Sequence, residues 1–164
     1  MTNQAYPSIN DFAPSWADIE VTATVDGGDL VEMTDIAAIK WGRKVDVGEQ
    51  KGTGGRTMKR TAGQGSQEAS ATFYRSGLRK LIKSLMKNAP TRGNQVIIGV
   101  VAFDILIQHT PIGETEIYTT KITGCRYLGD ADDMKEGPDA DKIEVTLNPI
   151  QVAQIIDGKE VVLV

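Results

Sequence analysis

The segment QEASATFYRSGLRKLIKSLMKNAP, residues 67–90, decides the fold because the spacing of its apolar residues changes half-way along. Residues 67–75 have the composition of a strand. After them, apolar side chains recur at intervals of three and four residues, as on one face of a helix. Ser76 is the expected N-cap and Pro90 follows the end, so the pattern predicts one helix over about 77–88 with a basic outer side. The apolar positions are Leu78, Leu81, Ile82, Leu85 and Met86.

The rest of the chain predicts strands. Residues 17–25 and 142–147 alternate between apolar and polar side chains, which is typical of half-buried strands. Residues 95–108 are apolar almost throughout and predict a strand buried on both faces. The sequence therefore predicts a mainly β fold, either a β-sandwich or a small β-barrel, with one flanking amphipathic helix. Further strands are expected at about 36–47, 115–128 and 160–164.

The length of 164 residues fits one domain. Residues 1–16 are polar and show no periodicity, so they predict an N-terminal arm. Residues 17–164 predict a single β domain. Within it, residues 48–65 contain six glycines and almost no large apolar side chain. The segment 46–66 is therefore expected to be a long exposed loop or hairpin.

Charge is unevenly distributed along the chain, although its sum is only −4. Residues 1–39 contain seven acidic and no basic residues, and residues 40–92 contain thirteen basic and three acidic residues. Residues 93–164 contain five basic and twelve acidic residues. Such segregation creates surface fields of opposite sign. Three interpretations stay open: both patches are simply solvated, the basic block contacts phosphates, or it contacts the acidic face of another copy.

The sequence contains no recognisable catalytic or metal-binding pattern. Residues 51–57 lack the Gly-Lys-Ser/Thr of a phosphate-binding loop, and the acidic segment 129–141 fails the spacing of a calcium loop. One histidine, His109, and one cysteine, Cys125, make neither a catalytic dyad nor a zinc site. We therefore expect no enzymatic activity and no cofactor. With no signal-peptide pattern and no apolar run long enough to cross a bilayer, we also expect no membrane anchor.

The layout of two segments resembles the tail tube proteins of bacteriophages, which are related in fold to the tube proteins of type VI secretion and other contractile injection systems. The first segment is GGRTMKRTAGQGSQEASATFYRSG (54–77), with the basic helix LRKLIKSLMK (78–87) directly after it. The second is ITGCRYLGDADDMKEGPDADKIEVTLNP (122–149), followed by IIDGKEVVLV (155–164). The resemblance covers most of the chain from about residue 17.

This resemblance implies a structural virion protein that forms hexameric rings, with strands from each copy completing the wall of a lumen. Stacked head to tail, such rings form the hollow phage tail tube, the conduit for DNA ejection, and are assembled in the host bacterial cytoplasm. The implied partners are other copies of the chain, a sheath if the tail contracts, a baseplate or initiator and a tail terminator. A tape measure protein would occupy the lumen, and phage DNA would pass through it without specific binding.

Two sets of residues are candidates for these contacts. The resemblance implies that segment 46–66 reaches the adjacent ring and that the arm 1–16 bridges subunits. The candidates for contacts between subunits or rings are Lys51, Arg56, Lys59, Arg60, Arg79 and Lys83. The candidates for an acidic face or lumen wall are Asp18, Glu20, Asp130, Asp132 and Asp133.

Three other functions stay open on the sequence. The same layout suits the tube of a contractile injection or secretion system, which carries protein. It also suits a tail terminator, tube initiator or baseplate protein that does not polymerise. A small DNA-binding module is favoured only by the basic block, because Lys and Arg can follow a phosphate backbone.

Overall fold

The computed structural model describes residues 19–26, 28, 30–61, 63–110 and 115–163. The expected arm 1–16 and Asp18 lie outside this described part. Within it, one α-helix, α1 (Arg75–Asn88), and a short 3₁₀ turn (Ile98–Val100) accompany fourteen strands. The strands are β1 (Ile19–Val25), β2 (Leu30–Glu32), β3 (Ile36–Asp46), β4 (Glu49–Lys51), β5 (Thr57–Arg60), β6 (Gln64–Tyr74), β7 (Thr91–Arg92), β8 (Gln95–Val96), β9 (Phe103–His109), β10 (Tyr118–Cys125), β11 (Tyr127–Asp132), β12 (Lys142–Leu147), β13 (Gln151–Ile156) and β14 (Lys159–Val162).

Ten of these strands form two open antiparallel sheets. Sheet A has six strands in the order β14-β13-β10-β9-β1-β2, and sheet B has four in the order β11-β12-β6-β3. The pairs β4-β5 and β7-β8 are separate two-stranded ribbons. Since neither large sheet closes on itself, the fold is a β-sandwich with one flanking helix, and the small barrel that the sequence also allowed does not form.

The strands of the two sheets cross rather than run side by side. Only three residues separate the end of β2 from the start of β3, so β3 begins at one edge of sheet A. Seven residues further along β3, the Arg43 guanidinium reaches the carbonyl oxygen of Val161 on β14, at the opposite edge, at 2.9 Å. The apolar faces of both sheets pack together over one core. Its largest fully buried side chains are Phe73, Phe103, Leu81, Leu85, Ile105 and Ile122.

Helix α1 covers one end of this sandwich. Of the predicted apolar stripe, Leu78, Leu81 and Leu85 are buried in the core and Ile82 is partly buried, whereas Met86 is exposed, so the prediction was wrong for Met86. At its start, the Tyr74 N–H donates to the Asp35 carbonyl at 3.1 Å. At its end, the Asn88 side chain donates to the Asp26 carbonyl at 2.8 Å. The helix therefore spans from the segment before β3 to the segment after β1.

The expected N-cap was wrong. The helix begins two residues earlier than predicted, at Arg75, with Tyr74 as its cap residue and no side-chain capping bond. The hydroxyl of Ser76 instead donates to the Asp35 carboxylate at 2.8 Å. The Ser76 hydroxyl, which was expected to cap the N-terminus of the helix, thus binds a side chain from another segment instead.

Three strand predictions were also wrong. The strand expected at about 115–128 is two strands, because β10 ends at Cys125 in sheet A and β11 begins at Tyr127 in sheet B. Residues 95–108 do not form one strand: β8 ends at Val96, a 3₁₀ turn follows, and β9 begins at Phe103. In β9 buried residues alternate with half-buried ones, so only one face of the strand lies in the core. The expected acidic loop 129–141 begins later, because residues up to Asp132 belong to β11 and pair with β12.

A substitution at Gly77 tests how closely α1 approaches Asp35. A methyl group at residue 77 would lie 2.5 Å from the Asp35 carbonyl oxygen. We expect Gly77→Ala to lower the free energy of unfolding by about 1–3 kcal/mol, although alanine normally favours helix over glycine by about 1 kcal/mol. Urea denaturation measures the change. The matched control is Ser84→Ala, whose buried hydroxyl has no hydrogen-bond partner in the described structure. That variant is expected to be neutral or stabilising, and a stabilised Gly77→Ala would contradict the close approach.

Candidate assembly surfaces

A basic hairpin projects from sheet B. Strands β4 and β5 continue the ribbon of β3 and β6 outward, and we call residues 48–61 the basic hairpin. It carries one acidic residue, Glu49, and four basic residues. All four basic side chains are exposed, so the structure brings these predicted contact residues together on one projection. They are Lys51, Arg56, Lys59 and Arg60.

Backbone bonds give the basic hairpin a defined shape. The Gly52 N–H donates to the Arg56 carbonyl at 2.8 Å, and the Thr61 N–H donates to the Gly48 carbonyl at 2.8 Å. At the tip, Gly54 and Gly55 have φ of 85° and 77°, values that favour glycine. Of the two forms predicted for this segment, a long loop or a hairpin, the structure has the hairpin.

The opposite end of sheet B carries the acidic loop, residues 133–141. This loop joins β11 to β12 and contains four acidic residues and one lysine. Lys142, the first residue of β12, pairs with Tyr74 at the α1 end of β6. The 11 residues of β6 span about 35 Å at ~3.3 Å per residue. The basic hairpin and the acidic loop therefore lie at opposite ends of the same sheet.

Arg75 ties the acidic loop to the helix. Its guanidinium binds both carboxylate oxygens of Asp132, at 2.6 and 3.0 Å, and its Nε lies 3.5 Å from Asp141. The hydrogen bond to Asp132 is the main cause that raises the pKa of Arg75. Asp132 is thus a paired structural residue, and Arg75 is a partner that the sequence analysis did not identify.

The other two predicted helix residues line a groove between α1 and β11. The groove has a volume of about 960 Å³ and holds Arg79 and Lys83 beside Asp130. Neither Arg79 nor Lys83 has an ion-pair partner within the described ranges. Asp130 accepts a 2.6 Å hydrogen bond from the Tyr127 hydroxyl. Burial and then this hydrogen bond raise the pKa of Tyr127, so the phenol stays a donor.

The remaining acidic candidates, Asp133 and Glu20, do not lie together. Asp133 lies on the acidic loop, exposed and 3.1 Å from Lys135. Glu20 lies far from it in the topology, on the outward face of β1 in sheet A. The two groups therefore lie on different sheets and do not form one acidic surface.

The outward face of sheet A carries acidic and other polar side chains together with a few apolar ones, such as Leu106 and Ile155. Cross-strand pairs place Glu20 beside Gln108 and then Thr119 on this face. The described part of the face carries four acidic residues and one lysine, Lys121, which is 3.3 Å from Glu160. The net charge of the face is therefore negative. The acidic residues are Glu20, Glu32, Asp104 and Glu160.

Sheet A also has two free edges within the described residues. Strand β2 forms one edge and carries the exposed Leu30. Strand β14 forms the other, where Val161, Val162 and the adjacent Leu163 are exposed. An edge strand presents unpaired N–H and C=O groups that can pair with another chain. Because all six strands alternate in direction, the two edge strands run in opposite directions.

The described part of the chain contains no cluster of three or more His, Cys, Asp or Glu residues able to hold a metal ion. In the same part, no helix has the length and apolar content needed to cross a membrane. His109 stacks on the Tyr118 ring at 5.0 Å between centroids, and Cys125 is buried. The two are not arranged as a catalytic pair, because His109 lies opposite Tyr118 and Cys125 lies opposite Phe103, at opposite ends of the β9–β10 pair.

Comparison with known proteins gives structural matches only. No family model and no curated protein matches the sequence. One match is the sheath–tube complex of an extracellular contractile injection system, PVC, with 17% identity, coverage of 92% of this chain and 93% of the other, and a TM-score of 0.61. The tube-terminating cap of the anti-feeding prophage has 15% identity, 94% and 98% coverage and a TM-score of 0.61. The SPP1 tail tube has 14% identity, 89% and 82% coverage and a TM-score of 0.56.

The chain has the tail-tube fold. This finding agrees with the resemblance that the sequence suggested. At these identities, the likeness establishes the arrangement of the strands and the helix. In this fold the basic hairpin lies at one end of sheet B and α1 begins at the other.

Sequence reasoning missed three residues of these surfaces. Arg75 was not recognised as the anchor of the acidic loop, because its partners are 57 and 66 residues away. Arg43 and Gln67, which contact β13 and β14, were missed for the same reason. The one local signal for any of these contacts was the Asp–Gly turn at residues 157–158. It predicts that a final strand folds back on the strand before it.

Cys125 provides a test of the core of this tail-tube fold. Burial, and then the charge of Asp104, raise the pKa of Cys125 to about 12 from an ordinary value of 9.0. Because the thiol stays protonated in the folded state, we expect almost no alkylation by iodoacetamide at pH 8, and rapid alkylation in urea. Mass spectrometry measures the labelled fraction, with glutathione as the reactive control.

The raised pKa also sets a dependence of stability on pH. The contribution of Cys125 is complete below about pH 9 and is lost as the pH rises towards 12, because the unfolded thiol ionises first. Fast labelling of the folded protein at pH 8 would show that Cys125 is not in the core.

Proposed function

We propose that the chain is a structural tube protein whose copies form hexameric rings that stack head to tail into a hollow phage tail tube. The observation that carries this proposal is the placement of opposite charges. The basic hairpin lies at one end of sheet B and the acidic loop at the other. A contact between two different surfaces of the same protein that does not close on itself produces a filament. Opposite charge at the two ends gives such a contact its direction.

The edges of sheet A support the ring. Strands β2 and β14 carry exposed apolar side chains and run in opposite directions, so β14 of one copy can pair antiparallel with β2 of the next. Copies related by rotation then continue the alternation of the sheet, and the free edges disappear. Exposed apolar residues on both edges, Leu30 and Val161 among them, would become buried.

The outward face of sheet A is the proposed lumen wall. Edge-to-edge pairing would place this face on one side of every copy, and its net negative charge would repel phosphates. A polyanion such as phage DNA would then pass without the counterion release that drives binding. In this arrangement Glu20 belongs to the lumen and Asp133, on the acidic loop, belongs to the contact between rings, whereas Asp130 and Asp132 on β11 are held by Tyr127 and Arg75.

The proposal implies partners and a place. The tube would be part of the virion tail, assembled in the host cytoplasm, with a baseplate or initiator below it and a terminator above it. A sheath would surround it if the tail contracts, and a tape measure protein would occupy the lumen. No enzymatic activity and no cofactor belong to this role.

A second function is favoured by the matches to PVC and the anti-feeding prophage, which are named as an injection system and a prophage cap. A tube of that kind would polymerise equally well, whereas a cap would form rings that do not stack. Negative-stain electron microscopy of the purified chain separates these cases, since long tubes exclude the cap. Retarded DNA in a gel at physiological salt, without rings or tubes, would instead support the DNA-binding module.

Charge reversal tests the contact between rings. In the variant Arg56→Glu, Lys59→Glu and Arg60→Glu we expect an unchanged melting temperature, because exposed charges contribute only about 0–1 kcal/mol. We expect no tubes by electron microscopy, since both contacting surfaces are then acidic. The control is Arg56→Lys with Arg60→Lys, which keeps the charge and should form tubes. Tubes of normal length from the reversed variant would contradict the proposal.

A compensating variant makes this test sharper. Reversing Asp133, Glu136 and Asp139 to lysine in the same chain exchanges the signs of the two ends. We expect tubes to form again, because the attraction between hairpin and loop is restored. If the combined variant stays unassembled although the hairpin variant and the loop variant each fold, the hairpin contacts a surface other than the acidic loop.

A further inference from the structure

Two side chains of sheet B bind the backbone at the edge of sheet A. Arg43 on β3 and Gln67 on β6 are cross-strand partners. The Arg43 guanidinium donates to the carbonyls of Val161 at 2.9 Å and Val152 at 3.3 Å. The Gln67 side-chain oxygen accepts a hydrogen bond from the Val152 N–H. We call Arg43 and Gln67 the clamp, because they join one pair of strands in each sheet.

The clamp acts where β13 loses β14 as a partner, while β10 still pairs with β13 on its other side. The pairing of β13 with β14 ends at Ala153 and Val162, so Val152 is the next residue along β13. Its N–H and C=O are bound by the clamp instead of by a strand. Free backbone groups on an edge are a template for pairing with any strand that arrives. By binding both groups, the clamp leaves β14 as the available edge.

Strand β14 depends on few other contacts within the described ranges. All four of its residues are exposed, and its backbone pairs only with β13. A short exposed strand of this kind belongs to the least stable part of a fold. The bond from Arg43 to the Val161 carbonyl is therefore a large share of what holds β14 to the second sheet.

The clamp also lies at the base of the basic hairpin. The next cross-strand pair outward from Arg43 and Gln67 is Lys44 with Ser66, from which the ribbon continues to β4 and β5. The clamp thus lies between two proposed contact surfaces. One is the basic hairpin, proposed to contact the next ring, and the other is the β14 edge, proposed to contact the next copy in the ring.

We propose that the clamp positions β14 for pairing with β2 of a second copy of this chain, and so makes Arg43 and Gln67 positioning residues of ring formation. This inference rests on the proposed function, because it takes the second copy as the occupant of the β14 edge. Opposite strand directions and exposed apolar residues on both edges favour that occupant over an unrelated strand.

Hydrogen exchange of the unassembled protein tests the clamp directly. In Arg43→Ala we expect the amides of residues 159–163 to exchange at least about tenfold faster than in the wild type. Gln67→Ala should accelerate exchange at Val152. The matched control is Lys44→Ala, whose side chain is exposed and binds Asp46 at 2.7 Å, and whose exchange at 159–163 should not change.

Assembly provides the second measurement. We expect Arg43→Ala to keep its circular dichroism spectrum and to need about a tenfold higher protein concentration for ring formation than wild type or Lys44→Ala. Arg43→Lys should be intermediate in both measurements, since both bonds come from one guanidinium nitrogen, Nη1, and a lysine ammonium keeps the charge on a side chain of different length and shape. This variant decides the question if Arg43→Ala fails to fold.

The outcomes separate the clamp from the proposed function. Unchanged exchange at residues 159–163 in Arg43→Ala and Arg43→Lys would overturn the clamp. Faster exchange with an unchanged assembly concentration would overturn its positioning role while leaving the tube intact. A wild-type chain that forms neither rings nor tubes would overturn the proposed function, and with it the second copy as the occupant of β14, whatever the exchange rates.

Discussion

Strand β6 is the constraint on which the rest of the structure depends. It pairs with β3 on one side and β12 on the other, and its inward side chains Ala69, Ala71 and Phe73 are buried. At one end it continues without a connecting residue into α1, and at the other it leads to the basic hairpin. Because a hydrogen-bonded strand is stiff and of known length, these two features are held at opposite ends of the sheet.

Stability and surface charge are separate properties in this fold. Burial of the apolar stripe of α1 and of the facing strands supplies the main stabilising free energy. The ion pairs within the described part are exposed or half-exposed, and pairs of that kind contribute about 0–1 kcal/mol each. The segregated charges are therefore not needed for folding. In the proposed assembly they determine which surfaces of two copies attract each other and which repel.

Much of the fold followed from local patterns, and the failures share one cause. The helix was predicted two residues too short at its start, and the exposed hairpin was predicted within a segment, 46–66, that also includes the ends of β3 and β6. The N-cap failed because Ser76 binds Asp35, 41 residues away. The continuous strand over 95–108 failed because a 3₁₀ turn interrupts it before β9. In each case a run of residue types is compatible with two local structures, and contacts distant in sequence choose between them.

The sequence by itself determined that the chain is a β protein with one amphipathic helix, an exposed segment with few apolar side chains, and three blocks whose net charge alternates in sign. Periodicity and composition decide these properties because they depend on neighbouring residues alone. Only the tertiary structure decided that the basic hairpin and the acidic loop lie at opposite ends of one sheet, that Glu20 and Asp130 lie on different sheets, and that Arg43 holds β14. Those relations join residues up to 118 positions apart, and the order of strands in a sheet cannot be read from a pattern that repeats every two residues.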